Sequence, residues 1–480
     1  MGLEIDYIFH PKSIAVAGAS ANKEKSGYRF FKSLLDLGYE GDLYPVNNKG
    51  DEILEHKVYS RVQDIPGPVD YVISCVPNNA ALDLVDDCAV KGVKVIHFFT
   101  ARFSETGHED GAAMESELLE RARKSNIRLI GPNCMGLYYP KEKISFDSSF
   151  AREIGTVGIL SQSGGNAMEI SHGAAERGVR FSKVLSYGNA LDINEADLLE
   201  YLADDPETKV IGGYIEGVRA GPRFVKALQY ATQRKPVVLL KGGKTTAGTG
   251  AVSSHTASLA GSREIWKAMC EQTGAISADD MDDLLDLLVG FNFLSDTTGF
   301  NVMVSGGGGG SSVLSADECE EEGLFPVPLP EETRTKLIEM HPFFGPWISN
   351  PLDMSILGGS GLTIYSLLET MAESSVYDTV IVSSSDRMPR RRSDTDTSDP
   401  VENALKAMDH NLDISRKSGK PLAVVKRDGI PDSEEHLRIQ KAVQKHIIDE
   451  GFPIFPTMRR AARTLQRVTA YHLNQGASEA

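Results

Sequence analysis

Cysteine and tryptophan are scarce in this chain, five and two among 480 residues, and aromatic residues together make up 7%. Cys75, Cys88, Cys134, Cys270 and Cys319 are scattered without close-paired spacing, which indicates neither a zinc site nor a disulfide framework. No apolar run approaches the roughly 20 residues needed to span a bilayer, and no signal peptide is read at the start, so the expectation is a cytoplasmic protein. Positive charge is also in deficit. Fifty Lys and Arg against 67 Asp and Glu give a formal net charge of −17, which repels nucleic acid and acidic membrane at long range. Any anionic ligand must therefore be held by local donors. What is present, 41% hydrophobic and 24% charged residues over this length, is ordinary for globular protein with several domains.

A full G-x-G-x-x-G is missing as well. The apolar run Ile14 to Ala17 enters Gly18-Ala19-Ser20, and the next glycine is Gly27, so a bound dinucleotide and dehydrogenase chemistry are disfavoured. Strand, turn and helix nevertheless alternate. Apolar stretches at Asp42 to Val46, Tyr71 to Val76, Val93 to Phe99 and Ile127 to Ile130 are separated by helical patterns such as Ala80 to Lys91 and Ala112 to Lys124. That alternation predicts parallel strands with crossover helices, an α/β fold. The carboxyl ends of such strands line a ligand crevice, and here they carry Gly18 and Ser20, Pro45, Val46, Asn47 and Lys49, Val76 and Pro77, and Gly131-Pro132-Asn133. Lys49, with Lys23 and Lys25, is placed to meet the phosphates of an adenosine-diphosphate moiety.

A second unit starts near Gly155. Its strand Val157 to Leu160 runs into Ser161-Gln162-Ser163-Gly164-Gly165 and a helical pattern, so Ser163, Gly164 and Gly165 sit at a helix N-terminus, a seat for phosphate. The strand Val210 to Ile215 ends at Glu216, and the strand Lys235 to Leu240 leads into a stretch of small and hydroxylated residues around His255. This stretch, with Ser254 and Thr256 beside the ring, reads as a loop ahead of a helix. A neutral imidazole there can take and release a phosphoryl group, and the carboxylate of Glu216 can orient it. A third unit opens with Asn301 to Ser305 and five glycines, Gly306 to Gly310, and echoes the second, each carrying a Lys-Pro strand at Lys235 and Lys420. The run Arg387 to Arg392, followed by Asp394, Asp396 and Asp399, reads as an exposed, salt-bridged loop, and a helix from Thr457 to about Leu473 closes the chain.

Seven blocks in order carry a resemblance: Ser13 to Ser20, Tyr44 to Asn47 with Lys49, Gly131 to Cys134 with Gly136, Gly158 to Gly165, Tyr214 to Val218, Ser254 to Thr256 with Ser258 to Gly261, and Asn350 to Asp353. Together they resemble the alpha subunit of the nucleoside-diphosphate-forming acyl-CoA synthetases, the superfamily of succinyl-CoA synthetase and the ADP-forming acetyl-CoA synthetases. The resemblance implies a Rossmann-like CoA-binding domain over 1–150, a flavodoxin-like ligase domain carrying a phosphohistidine loop over 151–297, and a second flavodoxin-like ligase domain over 298–480. It also implies interconversion of carboxylic acid, CoA and ATP with acyl-CoA, ADP and phosphate through an acyl phosphate. His255 matches the phosphorylated histidine, Glu216 its supporting glutamate, and Ser161, Ser163, Gly164, Gly165 and Ser254 the phosphate seat. Gly18, Ser20, Pro45, Asn47, Lys49, Val76, Pro77 and Asn133 fall in the CoA-contacting stretches. No ATP-grasp module is read in the chain, so ADP or ATP and Mg²⁺ are expected on a separate beta subunit, in an αβ or α2β2 assembly. No resident metal is expected on this chain. Three positions depart from the family pattern, Ala257, Asn48 and Arg102, and the guanidinium at 102 raises the expectation of an acyl group with a second acid. The alternative reading is a non-catalytic CoA-binding regulatory or scaffold protein.

Overall fold

A computed structural model of the chain describes residues 2–256, 262–294, 297–305, 307–342, 347–357, 364–384, 399–426 and 430–479. The chain divides into two compact units, Met1–Leu284 and Leu285–Ala480. The first unit holds two sheets. In the first sheet β1 (Ser13–Ala17), β2 (Asp42–Val46), β5 (Tyr71–Ser74), β6 (Val95–Phe98) and β7 (Arg128–Ile130) pair in parallel in the order β2-β1-β5-β6-β7, and β3 (Glu52–Ile53) with β4 (His56–Lys57) forms a small separate hairpin. Every residue of β1, β5 and β6 is buried, as a parallel sheet covered on both faces requires. Helices α1 (Ser26–Leu37), α2 (Ala81–Lys91) and α3 (Glu109–Lys124) make the crossovers, and Gly38 and Gly92 close the first two in the left-handed conformation.

In the second sheet β8 (Gly136–Tyr138), β9 (Val157–Ser161), β10 (Phe181–Ser186), β11 (Val210–Ile215), β12 (Val237–Lys241) and β13 (Ile276–Ala278) run in the order β13-β12-β11-β9-β10-β8. Only β8 is antiparallel to its neighbour. Both sheets share one plan. The first of the parallel strands in chain order (β1, then β9) lies between the second and the third, so the chain changes direction on the sheet at β1/β5 and again at β9/β11. A crevice opens at the carboxyl ends of the strands at such a point.

Among the helices that accompany these strands are α4 (Gly164–Glu176), α5 (Glu195–Asp204), α6 (Gly221–Thr232), α7 (Thr246–Thr256) and, ahead of β13, the helix Arg263–Thr273. Helix α7 corrects the loop expected around His255. The glycines at 248 and 250 each weaken a helix by about 1 kcal/mol, but Thr245 caps it, its hydroxyl accepting from Gly248 N at 3.1 Å and its carbonyl from Thr249 N at 2.7 Å. The backbone of His255 is thus on the last turn of α7. Side chains 253–256, including those of Ser254 and His255, lie outside the described residues, as does Ala257.

In the second unit β14 (Val302–Ser305), β15 (Thr379–Ser384), β16 (Leu422–Lys426) and β17 (Ile454–Phe455) pair in parallel in chain order. Leu352 bridges in parallel to Ser305 on the far side of β14, a rudiment of the strand that β10 forms beside β9. The helix Gly309–Glu321 repeats α4, with 13 residues and the same offset at both ends (164 to 309, 176 to 321), and a glycine of positive φ follows each, Gly178 and Gly323. The Lys-Pro strands repeat as well. Lys235 donates to the carbonyls of Leu202 and Asp205 at the end of α5, and Lys420 to those of Ala372 and Ser374 at the end of the helix Ile364–Ala372. A half-buried ammonium closing the carboxyl end of a neighbouring helix is one solution used twice. The charged run Arg387 to Asp396 lies outside the described residues, and Asp399 caps the helix Pro400–Ser418 by accepting from Val401 N at 3.0 Å. The closing helix, Met458–Glu479, is longer than expected. No described helix is long and apolar enough to cross a membrane.

Candidate functional site

A cleft of about 1760 Å³ lies in the first unit at the carboxyl ends of both sheets. Its first wall is the β1 turn. Gly18 has φ +84°, and a Cβ there would fall 2.8 Å from the carbonyl of Cys75. A Cβ at Gly27 would fall 2.0 Å from Gly18 O, so α1 can meet the turn only through two glycines, which accounts for the sparse fingerprint. The N-cap of α1, Lys25, makes no side-chain cap, which leaves the first N–H groups of the helix to the cleft that Lys25, Ser26 and Gly27 line. Ser20 and Lys49 also line it, and Ser20 Oγ accepts from Asn22 N. Asn47 lines it too but its amide is engaged, donating to Ala19 O at 2.5 Å and accepting from Lys49 N at 2.9 Å, so it ties two turns together. Val76, Pro77 and Asn133 complete this wall, with Val76 O taking the Thr100 hydroxyl at 2.8 Å. Pro45 is in β2, its carbonyl accepting from Tyr59 N, and does not line the cleft.

The opposite wall is the start of α4. Ser161 is fully buried and off the cleft, its hydroxyl donating to Ser163 O at 2.7 Å, which shapes the turn. Ser163 is the N-cap, accepting from Asn166 N at 3.3 Å, and this leaves the N–H groups of Gly164 and Gly165 facing the cleft they line. Gly164 has no room for a side chain, since its Cβ would sit 2.6 Å from Met135 Cγ. Beside this turn stands Glu216, 8% exposed. Its backbone N–H donates to Gln162 Oε1 at 2.8 Å, and its carbonyl accepts from the ammonium of Lys241 at 2.6 Å. Its Oε1 accepts from the Tyr214 hydroxyl at 3.3 Å, while its buried Oε2 has no hydrogen-bond partner among the described residues. Burial, and after it the Glu216 carboxylate, pushes the Tyr214 hydroxyl up to about 12, so it stays a donor. Lys241 is itself buried, which lowers its pKa against the opposing pull of Glu216.

Gly18, Ser20, Asn47, Lys49, Val76, Pro77, Asn133, Ser163, Gly164, Gly165 and Glu216 therefore meet in one space, and Pro45 and Ser161 do not line it. The structure adds Gln162 and Asn189 to this lining, which strand patterning alone does not mark, while Lys241, at the end of β12, stays off it and holds the Glu216 carbonyl. Arg102 also lines the cleft, with φ +76°, its N–H held by Glu105 Oε1 at 2.5 Å and its carbonyl by Asn78 Nδ2 at 3.0 Å. The other carboxylate oxygen of Glu105 accepts from Asn189 Nδ2 at 2.7 Å. Cys75 and Cys134 border the same space, but burial pushes both thiols up, Cys75 to about 12, so neither is a thiolate at neutral pH. The arrangement fits a long anionic ligand laid from the α1 turn toward a compact anion at α4.

Residues 12–140 match the family model described as CoA binding domain, and residues 154–291 the one described as Succinyl-CoA ligase like flavodoxin domain. Over 379 residues the chain is 38% identical to acetate–CoA ligase [ADP-forming] II subunit alpha of Pyrococcus furiosus, covering 78% of this chain and 81% of that one. It is 33% identical over 468 residues to the I subunit alpha of the same organism, covering 96% of each chain. The dinucleotide forming acetyl-coenzyme A synthetase 1 of Ca. Korarchaeum cryptofilum, in complex with phosphate and ADP, matches with a TM-score of 0.80 at 28% identity over 99% of this chain and 98% of that one. The chain belongs to the family of the ADP-forming acyl-CoA ligases, in their alpha-subunit branch.

Proposed function

We propose that this chain is the catalytic alpha subunit of an acid–CoA ligase that interconverts carboxylic acid, CoA and ATP with acyl-CoA, ADP and phosphate. One observation carries the reading: a single cleft joins the Gly18 and Lys49 turns, suited to the phosphates of CoA, to the free Gly164 and Gly165 N–H groups at the start of α4 and to the carboxylate oxygen of Glu216 that has no partner among the described residues. Residues 1–150 hold CoA, 151–297 carry the phosphoryl chemistry, and 298–480 repeat the ligase fold. A phosphate oxygen attacks the thioester carbonyl, the C–O bond forming as the C–S bond breaks, and CoA leaves as thiolate and is protonated. The acyl phosphate then passes its phosphoryl group to an imidazole nitrogen of His255, the carboxylate leaving. ADP takes the group, with Mg²⁺, on an ATP-grasp beta subunit in a hetero-oligomer, since the blocks of this chain are spent on the three sheets. Glycines 242 and 243 ahead of α7 suit a segment that must travel between the two sites.

The test uses the full-length chain with its ATP-grasp partner, γ-labelled ATP and Mg²⁺. Label that is acid-labile and base-stable is expected on this chain, and is expected to leave it when acid and CoA are added. Absence of label under every condition favours the CoA-binding scaffold instead.

Arg102 bears on the choice of acid. A side chain in left-handed backbone, anchored at its N–H and its carbonyl, is held where a small residue suffices, and its guanidinium forms no ion pair among the described residues. A second carboxylate or a sulfonate on the acyl group satisfies it. Arg102→Ala is expected to cut turnover of dicarboxylic or sulfonated acids about tenfold or more while sparing acetate. Steady-state kinetics with both acid types check it, and an unchanged preference removes the role.

A further inference from the structure

Gln162 follows the last residue of β9, where the chain leaves the sheet between β9 and β11, and it is 6% exposed while lining the cleft. Its backbone N–H donates to Tyr214 O at 3.0 Å. Its side-chain oxygen accepts twice, from Glu216 N at 2.8 Å and Gly217 N at 3.0 Å. Two backbone donors on one atom settle which end of the amide is which, so Nε2 lies on the other side. That nitrogen has two hydrogens to donate and no hydrogen-bond partner among the described residues. Held in a residue more than nine-tenths buried, with its partner end locked, that nitrogen reaches the open cleft and is free to donate to an acceptor bound there. The adjoining groups name the acceptor. Ser163 to Gly165 offer a helix N-terminus, which attracts an anion, and the carboxylate of Glu216 calls for a cationic or N–H partner rather than a second anion.

We propose that Gln162 is a catalytic residue whose Nε2–H donates to a non-bridging oxygen of the phosphoryl group seated at the start of α4; this rests on the function proposed above. Phosphate, acyl phosphate and phosphorylated imidazole all keep those oxygens, so the amide holds the group through each transfer. Being neutral, it does so without exchanging a proton. The same side chain sets the Glu216 backbone through its oxygen, so one residue fixes both the phosphoryl group and the carboxylate that supports its acceptor.

Two substitutions separate the two ends of the amide. Gln162→Glu keeps an oxygen for the N–H groups of Glu216 and Gly217 and turns the donor end into an anion. Gln162→Lys keeps donors and surrenders the acceptor. Binding of inorganic phosphate to the full-length chain is measured by titration calorimetry, beside the melting temperature and the phosphate-dependent release of CoA from acetyl-CoA. The glutamate variant, which sets a carboxylate beside Glu216 where the parent has a neutral amide, is expected to melt somewhat below the parent and to bind phosphate roughly 10- to 100-fold more weakly at pH 8. The gap narrows toward about pH 4–5, where the new carboxyl regains a proton to donate. The lysine variant is expected to hold phosphate while melting earlier. Parent-like affinity of the glutamate variant at pH 8 overturns the proposal, as does a loss of affinity that follows the loss of melting temperature in both variants. If the parent binds phosphate and releases no CoA, the ligase reading fails while calorimetry still decides the amide contact. A parent that binds no phosphate overturns both.

Discussion

The substitution Glu216→Gln should slow phosphorylation of the chain by about 10⁴-fold, the scale set by carboxylate-to-amide changes beside a working histidine, and His255→Ala should abolish acid-labile label. The reasoning begins with the buried Oε2 of Glu216, which has no hydrogen-bond partner among the described residues although every other polar handle of that residue is taken, by Gln162, Lys241 and Tyr214. An anion buried in that way is unfavourable until it meets a donor. An imidazole N–H supplies one, which fixes the tautomer, leaves the other nitrogen free to attack phosphorus, and balances the positive charge that the ring acquires. The amide of glutamine has the same shape but lacks the charge, and it can present its NH₂ to the ring. Because a neutral amide is easier to bury than a carboxylate, the variant should melt at or above the parent temperature, which separates lost chemistry from lost folding. Rapid-quench measurement of label transfer from ATP, with the partner subunit present, gives the rate. Phosphorylation of the Glu216→Gln variant at the parental rate, or label surviving His255→Ala, would remove these residues from the mechanism.

Why some of this was legible in the sequence and some was not comes down to range. Parallel strands buried on both faces are continuous apolar runs, so Asp42–Val46 and Val210–Ile215 coincide with their sequence-derived bounds, and Gly18, Ser163 to Gly165 and Glu216 are found because each follows such a run. Phe181–Ser186 is not read as a strand, since its buried lysine interrupts the apolar pattern. Small and hydroxylated residues made Thr246–Thr256 look like a loop, where one capping threonine suffices for a helix. Long-range approaches leave no local mark at all. The need for glycine at 27 comes from a carbonyl nine positions earlier, and the role of Gln162 from backbone more than fifty positions later.

The lysine that hides β10 also holds it in place, and Lys183→Met should cost the first unit about 3–5 kcal/mol. Lys183 is a fully buried side chain, its ammonium donating to Asp205 Oδ2 at 2.9 Å and Glu207 Oε2 at 2.7 Å and lying 4.3 Å from the centroid of the Tyr139 ring. Removal strands the Asp205 carboxylate, which is 4% exposed at its side chain and retains the Thr208 hydroxyl at 2.7 Å and Glu207 N. Those donors place the expected loss toward the lower end of the range. Burial raises the Glu207 pKa, but hydrogen bonds from Lys141, Lys183 and Tyr139 outweigh it and bring it to about 2. A carboxylate depressed in the folded chain stabilises it fully above its unfolded value, near 4.3, and that contribution fades as pH falls through 2. The variant should therefore melt roughly 5–10 °C below the parent at pH 7, with the difference shrinking below about pH 4. Asp205→Asn in the same chain should restore part of the loss, because the pair rather than the methylene packing is what was broken. The consequence reaches the cleft, since Ser186 at the end of β10 accepts from Met135 N at 3.1 Å and Gly188 and Asn189 line the wall beyond it. Calorimetric melting of the single and double variants decides the matter, and equal melting of Lys183→Met and parent across this pH range would show the buried ammonium to be dispensable.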